Sequence, residues 1–185
     1  DAKQYKEAYK AFQAIPSYKD SKELAKESGY LWASALLEAK DYEAAYHAFK
    51  EIPTYLDSTK KYKEATYQYA LSLKKPTTIV QAASTFALIE GYADATEQMK
   101  SCYLEAAQQF QGLQQYILAF SYYKRADSTC RTTNAYKECA YQAGLEHLKK
   151  SDFIDALAAF QEAGNYSDAK KQILATKYAY VKANL

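Results

Sequence analysis

Residues 5–21 read YKEAYKAFQAIPSYKDS, and residues 42–58 read YEAAYHAFKEIPTYLDS. The offset of 37 residues runs through the whole chain. Stepping from Ala8 gives Ala45, Ala82, Ala119 and Ala156 without exception. From Phe12 the row is Phe49, Phe86, Tyr123, Phe160; from Tyr18 it is Tyr55, Tyr92, Thr129, Tyr166. From Asp20 it is Asp57, Asp94, Arg131, Asp168. From Tyr30 it is Tyr67, Leu104, Tyr141, Tyr178. Five such periods fill the 185 residues. A fixed period in this range is the mark of stacked supersecondary units.

Each period divides into two helical patterns. The first, Y-x2-A-x3-F-x2-I, puts apolar residues at offsets 0, 3, 7 and 10, one face of a 3.6-residue helix. Pro16 and Pro53 stop it in the first two repeats, because proline cannot continue a helix; Gly91 and Gly164 stand in the same neighbourhood later. The second pattern starts at Asp-Ser. Asp20 has capping-box spacing to Glu23, so Asp20, Asp57, Asp94 and Asp168 read as N-caps, and Asp41 as the cap of the next first helix. Tyr18 and its copies, two residues earlier, read as plugs in the joint. Ten antiparallel helices are expected, near 3–14, 21–39, 42–51, 58–74, 78–89, 95–111, 115–126, 133–149, 152–163 and 168–184. In the fourth repeat ADSTCRTTNAY replaces the Ile-Pro joint, losing Pro, Tyr and Asp, so a differently bent joint is expected there.

Small residues recur at one place on each helix. Ala8 and its copies face Ala33, Ala70, Ala107 and Gly144 of the second-helix row, whose last member is Val181. Small side chains let two axes approach while the Phe12 and Trp32 rows interlock beside them. Such a pair cannot bury both faces alone, so it stacks on its neighbours.

A small residue in one helix, then Ala and an aromatic four residues later in the next, resembles the tetratricopeptide repeat, W-x2-L-G-x2-Y then A-x3-F. The matching slots are Gly29, Trp32, Ala33, Leu36, Ala45 and Phe49, and then Thr66, Tyr69, Ala70, Leu73, Ala82 and Phe86. They continue as Tyr103, Ala106, Ala107, Phe110, Ala119 and Tyr123, and as Ala140, Ala143, Gly144, His147, Ala156 and Phe160. The family's usual period is about 34, so the joint here is longer. The resemblance implies an all-α, right-handed superhelical solenoid. It would be a single domain of five repeats at 5–41, 42–78, 79–115, 116–152 and 153–185, excerpted from a longer protein. A pentatricopeptide RNA reader, the nearest rival by length, would need varied polar code residues where this chain repeats tyrosine.

In that family the helices corresponding to the second of each pair line a concave face that holds a peptide or partner helix. By resemblance the lining would be Tyr30, Ser34, Leu37; Tyr67, Leu71, Lys74; Leu104, Gln108, Gln111; and Tyr141, Leu145, Leu148. Tyrosine suits such contact, with a large apolar ring, one hydroxyl and little entropy to lose. The plainer reading is that the Tyr30 row packs between neighbouring helices. The family's carboxylate clamp needs paired Lys and Asn, which Ser34, Leu71, Gln108 and Leu145 do not supply.

Charge and composition narrow the function. Lysine and arginine number 24 against 22 acidic residues, interspersed, for a net charge of +2. No clustered basic footprint for nucleic acid or for a membrane surface is present. No phosphate loop or nucleophile elbow appears, so an enzyme is not expected, nor any cofactor. His147 sits in a core-type slot and His47 on an outer side. Cys102 and Cys139 are in phase one repeat apart, too far for a disulfide, and read as small buried residues. Three cysteines, an odd number, favour a cytoplasmic setting; the alternative is an extracytoplasmic part of a membrane-anchored protein. The expected function is a non-enzymatic scaffold for a peptide or protein partner. The alternative is a structural spacer or sensor arm with no groove ligand. Neither terminal helix reads as a polar cap, so end-to-end self-association through these helices is also expected.

Overall fold

A computed structural model describes all of residues 1–185. It contains ten α-helices and no strand. They are α1 (Ala2–Gln13), α2 (Ser21–Glu38), α3 (Tyr42–Lys50), α4 (Ser58–Ser72) and α5 (Ile79–Ala87). Then follow α6 (Ala95–Gly112), α7 (Tyr116–Arg125), α8 (Asn134–Lys149), α9 (Phe153–Ala163) and α10 (Ala169–Ala183). The expected helices are all there, with ends within two residues of where the periodicity put them. Contacts divide the chain into two compact units, Asp1–Gln98 and Met99–Leu185, the division falling inside α6. Within each unit, helices adjacent in sequence pack on one another: α1 on α2, α2 on α3, α3 on α4 and α4 on α5, then α7 on α8, α8 on α9 and α9 on α10.

The small-residue rows are where the axes meet. Ala33, Ala45, Ala70, Ala82, Ala107, Ala119 and Ala156 have no solvent exposure at all. Beside them Phe49, Phe86 and Phe160 are completely buried. Gly144 shows what the row is for. A Cβ placed there would come within 2.7 Å of the Phe160 ring, closer than carbon atoms pack. Cys102 and Cys139 are fully buried at matching places, as the spacing suggested.

The joint between the first and second helix of a repeat is built in steps of three. Backbone amides of Ile15, Tyr18 and Ser21 donate to the carbonyls of Phe12, Ile15 and Tyr18 in turn. Ile52, Tyr55 and Ser58 do the same onto Phe49, Ile52 and Tyr55, and Ile89, Tyr92 and Ala95 onto Phe86, Ile89 and Tyr92. The chain therefore turns the corner with these backbone groups paired through a run of three-residue turns. Each regular joint also holds one non-glycine residue in the left-handed region: Lys19, Leu56, Ala93 and Ser167, at φ between 44° and 49°. The fourth joint has no such residue. There a 3-10 segment, Ser128–Thr132, takes its place, capped by Asp127, whose carboxylate accepts from the Thr129 amide at 2.9 Å. Losing Pro, Tyr and Asp did change the joint. Gly164 is the C-cap of α9, at φ 62°, as expected; Gly91, at φ 80°, instead lies four residues beyond the end of α5, whose C-cap is Leu88.

The aspartate row departs from expectation. Asp20, Asp57 and Asp168 occupy the N-cap positions of α2, α4 and α10, yet their side chains make no capping hydrogen bond. Their φ,ψ values, −94°,13° for Asp20 and close to that for the others, explain this. An N-cap carboxylate reaches its amides from extended backbone; here ψ is near zero and the side chain is turned away. Asp20 and Glu23 form no capping box, and Glu23 instead pairs with Lys26 at 2.8 Å. Asp41 does cap α3, through the Ala44 amide at 3.3 Å.

Three substitutions test this packing by thermal or denaturant melts. Gly144→Ala should destabilise by about 1–2 kcal/mol, overpacking against Phe160 outweighing alanine's better helix propensity. Gly112→Ala, with open space around it, should be neutral or mildly stabilising. Leu56→Gly, which relieves an exposed left-handed residue, should raise stability by about 0.5–1 kcal/mol.

Candidate functional site

The members of the second-helix stripe singled out in the sequence do different things. Tyr30, Tyr67 and Tyr141 are half-buried, and each makes the same three contacts with the following repeat. The Tyr30 ring meets Phe49 at 6.1 Å and Tyr55 at 5.8 Å between centroids, both edge-on. Its hydroxyl donates to Asp57 Oδ1 at 2.6 Å, 27 residues ahead. Tyr67 repeats this with Phe86, Tyr92 and Asp94, the last at 2.5 Å. Tyr141 repeats it again with Phe160, Tyr166 and Asp168, also at 2.5 Å. The aspartates that do not cap their own helices are the acceptors of this tie. The joint tyrosines are the second wall of the slot that takes the incoming ring.

The exception strengthens the pattern. In the third repeat the tyrosine is replaced by Leu104, and 27 residues on the aspartate is replaced by Arg131. Donor and acceptor are lost together, so this step leaves neither a tyrosine hydroxyl nor a joint carboxylate unpaired. Other polar pairs keep the register. Lys100 Nζ lies 3.5 Å from Asp127 Oδ2, and Gln111 Nε2 donates to Glu138 Oε2 at 3.0 Å. Lys61 Nζ donates to Ser34 Oγ at 3.1 Å while lying 4.5 Å from the centroid of the Tyr30 ring.

The other candidates are placed as follows. Ser34 is held by Lys61. Leu37 packs partly buried against the core of the first unit, around Ala33, Ala45 and Phe49. Leu71 and Gln108 face solvent. Lys74 Nζ donates to Gln98 Oε1 at 2.7 Å. Gln111 also accepts from the Tyr123 hydroxyl at 2.9 Å. Leu104, Leu145 and Leu148 are half-buried. The open members are thus Leu71 and Gln108, with Lys74 at the surface beside Leu71's helix end.

The ties move titrations in a direction that follows from the bonds. Asp57 is held below the usual carboxylate range by the Tyr30 hydroxyl first, and Asp168 by the Tyr141 hydroxyl and then Gln172. Asp94 is lowered by Gln98 and then Tyr67. In turn the hydrogen bonds to the carboxylates raise the phenols of Tyr67 and Tyr141. Elsewhere, burial pushes the Cys139 thiol up to about 12, with Glu138 adding to it, which keeps that sulfur protonated and unreactive.

Sequence reasoning missed a cleft. In the second unit a cavity of about 530 Å³ opens between α7, the end of α8 and α9, with Phe120, Lys124, His147, Asp155 and Glu162 on its walls. His147 is half-buried, as its slot suggested, with Nδ1 3.6 Å from Asp152 Oδ2. Glu162 accepts from the hydroxyl of the fully buried Tyr136 at 2.7 Å. No periodic signal could mark this cleft, because it draws on three helices at positions where the repeats differ. His47 is exposed, its ring against Tyr46. No group of three or more His, Cys, Asp or Glu residues is placed to hold a metal ion. No helix is long and apolar enough to cross a membrane.

The chain matches no protein-family model and no curated protein sequence.

Stability should follow the tied groups. The lowered carboxylates stabilise the fold above about pH 4, and that contribution disappears as pH falls through their depressed folded values. The raised phenols stabilise below about pH 10, and their contribution fades as pH climbs toward the raised values. Melting midpoints between pH 2 and pH 11 should show both losses. Asp57→Asn/Asp168→Asn should flatten the acid limb; an unchanged acid limb would break the assignment.

Proposed function

We propose that the helix pairs continue as a tetratricopeptide-like solenoid and that the chain is a non-enzymatic scaffold for a peptide or protein segment. Support comes from the division of labour along the second helices. The tyrosines are spent on joining repeats, which fixes the spacing of the row. Between them, solvent-facing Leu71 and Gln108 offer an apolar and an amide contact on separate rungs. A peptide segment would gain apolar contact at Leu71 in the first unit or an amide hydrogen bond at Gln108 in the second. The net charge of +2 with both signs interspersed favours a ligand chosen by shape and hydrogen bonding over one chosen by bulk charge.

A second reading is favoured by the ties themselves. Three of the twelve candidate positions, Tyr30, Tyr67 and Tyr141, already have protein partners for ring and hydroxyl. A chain whose row is spent this way serves as a stiff spacer or sensor arm. The two readings part on a peptide-display selection against the 185-residue chain. A scaffold enriches a consensus whose binding falls at least tenfold in Leu71→Glu and in Gln108→Glu, with melting unchanged, while exposed His47→Ala binds normally. A spacer enriches no consensus, or one indifferent to Leu71 and Gln108.

A further inference from the structure

Two periods apart, the same corner between helices is filled in the first unit and open in the second. In the first unit Tyr69 of α4 lies on Tyr46 of α3, with ring centroids 5.8 Å apart and planes 14° apart. Its hydroxyl donates to Glu43 Oε1 at 2.8 Å and accepts from Gln81 Nε2 of α5 at 3.3 Å. Two periods on from Tyr46, Glu43 and Gln81 stand Phe120, Ile117 and Asp155, and all three line the cleft between α7, α8 and α9. The residue two periods on from Tyr69 is Ala143, which carries no ring. The floor is otherwise kept, since Phe120 meets Tyr136 at 5.5 Å much as Tyr46 meets Tyr62 at 5.8 Å. The cleft of about 530 Å³ is therefore the counterpart of the Tyr69 socket, without a ring of the chain's own to fill it. A carboxylate is kept at this corner, but it comes from Asp155 on α9 where the first unit uses Glu43 on α3.

We propose that this cleft binds a small phenol with an amino-acid tail, the chemistry of free tyrosine. The ligand ring would stack on Phe120 as Tyr69 stacks on Tyr46, and its hydroxyl would donate to Asp155. Three helices wall the site, and its volume is in the range of small-molecule pockets. A phenol ring fills only part of it, and the rest offers both charges. Glu162 Oε2 already accepts from Tyr136, which leaves Oε1 for a ligand ammonium. Lys124 offers Nζ to a ligand carboxylate. Asp155 and Lys124 take part in none of the chain's ion pairs, so neither must break one to bind. Lys124 Nζ lies 4.7 Å from the Phe120 centroid, which marks that ring as a surface that attracts partners. A ligand ring taking this place would move the ammonium out to the ligand's own carboxylate. A tyrosine inside a peptide has the ring and hydroxyl but neither of the tail's charges. The site draws mainly on α7 and α9, and stands whether or not the second helices hold a peptide.

Equilibrium dialysis of labelled tyrosine against the 185-residue chain tests this, with unlabelled relatives as competitors. Tyrosine should bind saturably, with a Kd between about 0.1 mM and about 1 mM. Phenylalanine lacks the hydroxyl and N-acetyltyrosinamide lacks both charges, and each should compete about tenfold less well. Asp155→Ala alters an exposed side chain, so it should melt close to the parent. It should bind tyrosine about tenfold more weakly and no longer prefer it to phenylalanine. Ala143→Tyr supplies the ring from the chain itself and should abolish binding. Ala143 is fully buried, so if that variant does not fold, Asp155→Ala decides. No saturable binding of tyrosine up to about 2 mM would overturn the proposal. So would phenylalanine competing equally, or Asp155→Ala binding as the parent does. Equal competition by N-acetyltyrosinamide would overturn the free amino acid as the ligand and point to a peptide tyrosine.

Discussion

One recurring contact carries the architecture: in three of the four steps between successive helix pairs, a tyrosine is handed to the next pair. Its ring enters a slot between a buried phenylalanine and the joint tyrosine, and its hydroxyl ends on the joint aspartate. Apolar area supplies most of the attraction, and edge-on aromatic geometry adds to it. The hydroxyl contributes specificity. It allows only one depth of insertion and penalises any register that leaves it buried without an acceptor. Alanines at each crossing make room for this, because only close axes bring the ring within reach of the following pair. The positive-φ residue in each regular joint belongs to the same device. It bends the chain so that the aspartate faces the incoming hydroxyl and not its own helix.

Much of this was legible in the sequence, for a physical reason. Stacked pairs repeat one environment, so each buried position is reported several times in a single chain. The Ala8 row, the Phe12 row and the stops at Pro16, Pro53 and Gly164 all fell where periodicity put them. The changed joint of the fourth repeat was visible as the loss of Pro, Tyr and Asp. Cys102 and Cys139 lay in phase, and both are buried.

The aspartates were misread because a local rule and a long-range one compete for the same residue. Asp before Ser at the start of a helical pattern satisfies capping statistics. What overrides them is the backbone before it, where Lys19, Leu56, Ala93 and Ser167 turn left-handed without being glycine. Nothing in those residue types announces that conformation. The spacing of 27 between Tyr and Asp was present all along, as was its paired loss at Leu104 and Arg131. It becomes meaningful only once the second helix of one pair is known to touch the joint of the next. The cleft beside His147 was invisible for the opposite reason, since its walls come from positions that do not repeat.

On α4 the ring and hydroxyl of Tyr67 are committed to the following helix pair, while Leu71 stays at the surface. The account stands on the tie acting as one unit, and a double-mutant cycle at Tyr30 and Asp57 measures that most directly. Tyr30→Phe and Asp57→Ala should each lower the melting midpoint, and the double variant should fall no further than the worse single one. Losses that simply add would show that hydroxyl and carboxylate act independently, and would contradict the account.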